Sequence, residues 1–109
     1  MFAVIYRAYL KPGTEAKYLE CWKTVATYFV NTQGALGSTL HKTQDEMWVA
    51  YSRWPDKATR DASWPQDQEK INSEFPADIS KAISELKNCL DNERYMPEIC
   101  MQIQEVISC

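Results

Sequence analysis

Apolar residues fall on both sides of an alternating segment at the start of the chain. Phe2, Val4, Tyr6, Ala8 and Leu10 point one way, and Ala3, Ile5, Arg7 and Tyr9 the other, which predicts a strand over 2–10. Lys11-Pro12-Gly13-Thr14 breaks it, with Thr14 as the expected N-cap of a helix. In that helix Leu19, Trp22, Ala26 and Phe29 recur at spacings of three, four and three, and Val25 and Val30 widen the stripe. Gly34 is its stop signal. Ala35 to Thr43 predicts a second strand, with Leu36, Ser38, Leu40 and Lys42 on one side and His41 on the other. The polar Gln44-Asp45-Glu46 closes a hairpin onto a third strand, Met47 to Trp54. Its sides are Met47, Val49, Tyr51, Arg53 and Trp48, Ala50, Ser52, Trp54.

After Pro55, Asp56 caps a short predicted helix running to about Ser63, and a second helical piece opens at Pro65 with Ile71 and Phe75 as its apolar positions. Pro76 interrupts. From Asp78 a stronger helix carries Ile79, Ile83, Leu86 and Leu90, residues 92–95 make a turn, and Pro97 to Ile107 predicts a last strand. The order strand, helix, strand, strand, broken helix, strand is the split βαβ pattern of an α+β, ferredoxin-like domain with an antiparallel four-stranded sheet. Residues 1–109 form a single domain of this kind, since domains usually span roughly 100 to 200 residues. Helices in such a domain cover one face of the sheet. The first and third strands are apolar on both sides, so the second face needs a cover, and a homodimer packed sheet to sheet is expected.

Composition narrows the partners. With 45% hydrophobic, 12% aromatic and 25% charged residues the chain is a globular domain and not a disordered tail. A net charge of -3 and a pI near 5.1 leave no basic surplus for phosphates, so no nucleic-acid partner is expected. Arg7 cuts the N-terminal apolar run before it reaches the length of a signal-peptide core. No stretch approaches the roughly 20 apolar residues that span a bilayer, and a cytoplasmic protein without membrane association is expected. Cys21, Cys89, Cys100 and Cys109 are widely spaced and the chain has one histidine, a pattern of free thiols with no metal site.

The run Val4-Ile5-Tyr6-Arg7, then Lys11-Pro12-Gly13, Gly34-Ala35-Leu36-Gly37-Ser38, and Trp48-Val49-Ala50-Tyr51 through Trp54-Pro55 resembles the antibiotic biosynthesis monooxygenase-like family. The resemblance covers roughly the first 65 residues, and the rest agrees in element order. It implies a dimeric α+β barrel. One branch of the family oxidises aromatic polyketides with molecular oxygen, using neither metal nor flavin, because the deprotonated substrate supplies the electrons. A second branch degrades haem with a histidine on the second helix, an asparagine on the first strand and a tryptophan. Here Tyr6 stands at the first-strand position, Trp64 lies near that of the tryptophan, and residues 56–90 contain no histidine, which argues against haem degradation. A third group has the fold and no assigned reaction.

The candidate chemistry follows. His41 has the one side chain whose unperturbed pKa lies near neutrality and is the natural acceptor for a phenol proton. Alternation turns either His41 or the Leu36 and Leu40 side of its strand toward a helix-lined cavity, never both. Tyr6 and Tyr51 are candidates to orient a substrate hydroxyl or donate to a peroxide, and the bland alternative for each is a core tyrosine with its hydroxyl satisfied. Arg53 suits an anionic substrate or an enolate, Trp64 suits stacking on a flat ligand, and Ser38 is a candidate substrate contact. Two functions from different classes remain open. One is a cofactor-independent monooxygenase acting on a small aromatic substrate; the other is a non-catalytic dimeric module that binds a small molecule or another protein.

Overall fold

In the structure, a computed structural model, residues 1–65 and 67–107 are described; Cys109, expected as a free thiol, lies outside them. The strands are β1 (Phe2–Ala8), β2 (Gly37–Lys42), β3 (Trp48–Trp54) and β4 (Ile99–Gln102). The helices are α1 (Glu15–Thr32), α2 (Lys57–Ser63), α3 (Gln68–Glu74) and α4 (Ala77–Asn88), with a 3-10 turn at Asn92–Arg94. The sheet order is β2-β3-β1-β4, with every neighbouring pair antiparallel, the ferredoxin-like α+β arrangement that the element order predicts. No helix among the described residues is long and apolar enough to cross a membrane.

Register fixes which residues meet. Val4 pairs with Ser52, which pairs with Ser38, and Tyr6 pairs with Ala50, which pairs with Leu40. Because side chains alternate, these residues share one face with Phe2, Trp48 and Trp54, and α1 and α4 pack on it. Ile5 pairs with Tyr51 and Arg7 with Val49, and they share the opposite face with Thr39, His41 and Arg53.

Helix α1 presents a different stripe from the expected one. Tyr18, Cys21, Val25 and Phe29 are buried, whereas Leu19 and Val30 are 37% and 40% exposed. Tyr18 finds Trp48 edge-on at 5.5 Å and Cys21 packs in the main cluster, so amphipathic and small side chains take positions that hydropathy alone assigns to Leu19. Trp22 becomes half-buried cavity wall instead of packed core. Thr14 does precede the helix, but its hydroxyl donates to the Lys11 carbonyl at 2.7 Å and caps no helical N–H. At the other end Gly34 has φ +88°, a left-handed conformation that suits glycine, and lets Ala35 N donate back to the Phe29 carbonyl at 3.2 Å.

Asp56 caps α2, accepting from Thr59 N at 2.7 Å. The next helix starts later than Pro65, at Gln68, because Asp67 accepts from Lys70 N at 2.8 Å and sets its first turn. The last strand is also shorter than the predicted 97–107. Gln102 pairs with Phe2, where β1 begins, and one further bond, from Ile103 N to the Met1 carbonyl, closes the ladder between the two strands.

Candidate functional site

Between the inner sheet face and the helices lies a cavity of about 540 Å³, within the usual range for small-molecule sites. Its position follows from the sheet: β4 pairs with β1 only at residues 2–5, so beyond Ile5 the β1 edge opens toward the segment 91–98. Its apolar walls include Trp22, Val25, Phe29, Trp54, Ile83 and Leu86. Trp64, the C-cap residue of α2, lies tilted against Phe29 with ring centroids 4.4 Å apart, and Phe29 meets Trp54 edge-on at 6.2 Å. Such a wall offers flat aromatic surface to a flat ligand.

One end of the cavity is polar. Arg60 of α2 donates from Nη2 to the Tyr6 hydroxyl at 3.2 Å and to Glu98 Oε2 just before β4. Its Nη1 lies 3.3 Å from Asp61 Oδ1. The Arg60 side chain is 13% exposed and its buried Nε has no partner among the described residues. Burial works against its charge, but the hydrogen bonds and charges of Tyr6 and Glu98 more than offset this and raise its pKa, so the guanidinium stays charged. Burial likewise pushes the Tyr6 phenol above its ordinary value, and Arg60 returns only part of that shift. Tyr6 is therefore a neutral hydroxyl at physiological pH, accepting one hydrogen bond from a fixed cation.

The predicted site residues divide between the two faces of the sheet. Tyr6, Ser38 and Trp64 line the cavity. His41, Tyr51 and Arg53 lie on the opposite face, with His41 exposed and its Nε2 2.8 Å from Thr39 Oγ1. Of the two alternatives for β2, the strand turns Ser38 and Leu40 inward and His41 outward, because Leu40 packs on Tyr18 and Trp48. Arg60 and Glu98 are the functional groups that sequence reasoning missed. They stand 38 residues apart and meet only because β4 returns beside β1. Among the described residues no three His, Cys, Asp or Glu side chains converge.

No protein-family model matches the chain, and no curated protein matches it in sequence. Solved structures match along nearly its whole length. SnoaB, a cofactor-independent oxygenase from Streptomyces nogalater, aligns with a TM-score of 0.70 at 13% identity over 97% of this chain and 95% of its own. An antibiotic biosynthesis monooxygenase aligns at 0.64 and 16% identity, over 98% of this chain and 100% of its own. Rv0793 from Mycobacterium tuberculosis gives 0.69 at 15% identity, over 98% of each chain. At these identities the likeness concerns the fold, and the chain has the fold of these three proteins.

Proposed function

We propose that this protein binds a small aromatic molecule in the cavity between helices and sheet and oxidises it with molecular oxygen, the substrate supplying the electrons. The observation that carries this reading is the Tyr6, Arg60 and Glu98 cluster at the end of a cavity walled by tryptophan and phenylalanine. The shared fold with a cofactor-independent oxygenase supports it.

The chemistry suits an aromatic ketone with an acidic methylene group, such as an anthrone. Loss of a methylene proton gives an enolate, whose negative oxygen is stabilised by the Tyr6 hydroxyl and the adjacent Arg60 charge. Glu98, the carboxylate on the other side of Arg60, takes that proton; the outward placement of His41 removes it from this step. The enolate transfers one electron to dioxygen, and the substrate radical and superoxide join through a new C–O bond. The peroxide takes up a proton delivered through Tyr6. The remaining C–H proton and hydroxide then leave as water while the O–O bond breaks and a carbonyl forms. One methylene and one O2 yield one carbonyl and one water. The apolar walls orient the rings and limit water at the reacting carbon.

The outer sheet face is the proposed contact for a second copy. Ile5, Val49, Tyr51, Ile99 and Met101 share it, none of them fully buried in the single chain. Contiguous apolar surface of this kind is rare on monomers, and burying it gains about 25 cal/mol per Å² before association costs.

The test is oxygen uptake by the purified protein with a hydroxylated anthrone. The reading expects uptake above the buffer rate with one O2 consumed per substrate. Binding without uptake would leave the alternative of a non-catalytic binding module, which the lack of histidine among the described lining residues favours. Neither binding nor uptake would remove both.

A further inference from the structure

A second group of polar atoms lines the same cavity on its sheet side. Trp54 is 1% exposed, lines the cavity, and has an indole Nε1–H with no acceptor among the described residues. Two positions back along β3 on the same face is Ser52, 8% exposed, and Ser38 is its direct partner on β2. Both serines line the cavity, and no side-chain hydrogen bond among the described residues engages either hydroxyl. Residues opposite each other in an antiparallel pair have Cβ atoms roughly 5 Å apart, so the two serine side chains are neighbours on the sheet floor, with Trp54 two positions along β3 on the same face. The directly flanking inward residues of this floor are Phe2, Val4 and Ala50, which offer no side-chain acceptor, and the Tyr6 hydroxyl beyond them is engaged by Arg60. Native proteins leave few buried donors without partners, and each such donor costs stability that a ligand can repay.

We propose that Ser38, Ser52 and Trp54 form a donor subsite on the floor of the cavity that hydrogen-bonds a carbonyl oxygen of the ligand. The inference rests on the reading of the cavity as an aromatic-binding site. It adds a second anchor, so that an acceptor oxygen other than the one whose charge develops beside Tyr6 and Arg60 is held by neutral donors on the floor. All three donors are uncharged, and Lys42, the cationic residue on the same face of β2, is paired with Glu15 outside the cavity lining, which suits a ketone oxygen better than a carboxylate. The subsite is a specificity determinant: it discriminates among aromatic ligands by the presence of an acceptor oxygen, since a ligand without one leaves the donors unpaired.

Two rigid tricyclic probes separate the possibilities, 9-fluorenone with one ketone oxygen and fluorene with none. Their binding is read by quenching of tryptophan fluorescence in the full chain, with circular dichroism verifying the fold of each variant. The native protein is expected to bind fluorenone about tenfold more tightly than fluorene. In the double variant Ser38→Ala, Ser52→Ala this preference should fall to about threefold or less, with fluorene affinity retained, because one neutral hydrogen bond contributes a factor of that order. Tyr6→Phe should leave most of the preference in place. Equal binding of both probes by the native protein would overturn the subsite and leave the aromatic cavity standing. A preference that survives in the double serine variant and vanishes in Tyr6→Phe would also overturn it, by assigning the ketone to the Arg60 end. Failure of both probes to bind would remove the aromatic-cavity reading itself.

Discussion

The Arg60 guanidinium of α2 donates to the Tyr6 hydroxyl of β1 across 3.2 Å, so the helix after the hairpin is tied to the first strand at the polar end of the cavity. A hydroxyl that accepts from a fixed cation is a stronger donor to a third group, because hydrogen bonds in series polarise one another. Tyr6→Phe removes the donor and leaves the ring. We expect it to lower the oxidation rate by about tenfold or more, within the range for positioned acid–base groups, while aromatic binding changes little. Arg60→Gln should lower the rate similarly and also displace the Tyr6 hydroxyl. Oxygen uptake beside fluorescence titration measures the two effects separately.

Tyr18 supplies a prediction about alkaline pH. Burial between α1 and Trp48 raises its phenol from 10.0 to about 12, with a smaller contribution from Cys89. Below pH 10 the phenol is protonated in both folded and unfolded chains and its contribution to stability is fully present. As pH rises from 10 toward 12 the unfolded chain ionises first, and roughly 2 to 3 kcal/mol of stability is lost across that window. Urea unfolding at stepped pH checks this. Tyr18→Phe should flatten the slope between pH 10 and 12.

Phe29 and Leu19 share a helix and should differ in consequence. Phe29 is 4% exposed and meets Tyr28, Trp54, Trp64 and Phe75, so Phe29→Ala is expected to cost about 3 to 5 kcal/mol. Leu19→Ala, on the exposed flank, should stay within about 0.5 kcal/mol. Denaturant midpoints of the two variants measure the difference.

The order of elements was legible because each depends on local periodicity and on punctuation such as Lys11-Pro12-Gly13, Gly34 and Pro76. The face of α1 was harder to read. Hydropathy places Leu19 inside and undervalues Tyr18 and Cys21, whose burial depends on the partners Trp48 and Glu85 that sequence spacing does not reveal. For the site, alternation along β3 separated Trp54 and Ser52 from Tyr51 and Arg53, but only the register with β1 joins Tyr6 to the first pair, so Tyr6 and Tyr51 stood as candidates together. Alternation left open which side of β2 faced the helices, and so placed His41 and Ser38 among the candidates together. The contact between Arg60 and Glu98 had no local signal, since it arises from the return of β4 to the sheet edge.

The outer face yields a prediction about assembly. Tyr51 lies at its centre, paired with Ile5 and Thr39. Sedimentation at micromolar concentration is expected to give a particle of twice the 12.6 kDa chain mass. Tyr51→Asp should shift it to the single-chain mass, because association would bury an unpaired carboxylate. A native protein that sediments as a single chain would remove the proposed interface.

The cavity itself is tested most directly by nuclear magnetic resonance of the four indole N–H signals, titrated with 9-anthrone under argon. Trp22, Trp54 and Trp64 line the cavity, whereas Trp48 packs with Tyr18 and Cys89 outside its lining. The reading predicts that the first three signals shift together at one ligand per chain while the Trp48 signal stays in place. An unchanged spectrum, or a shift of the Trp48 signal alone, would contradict it.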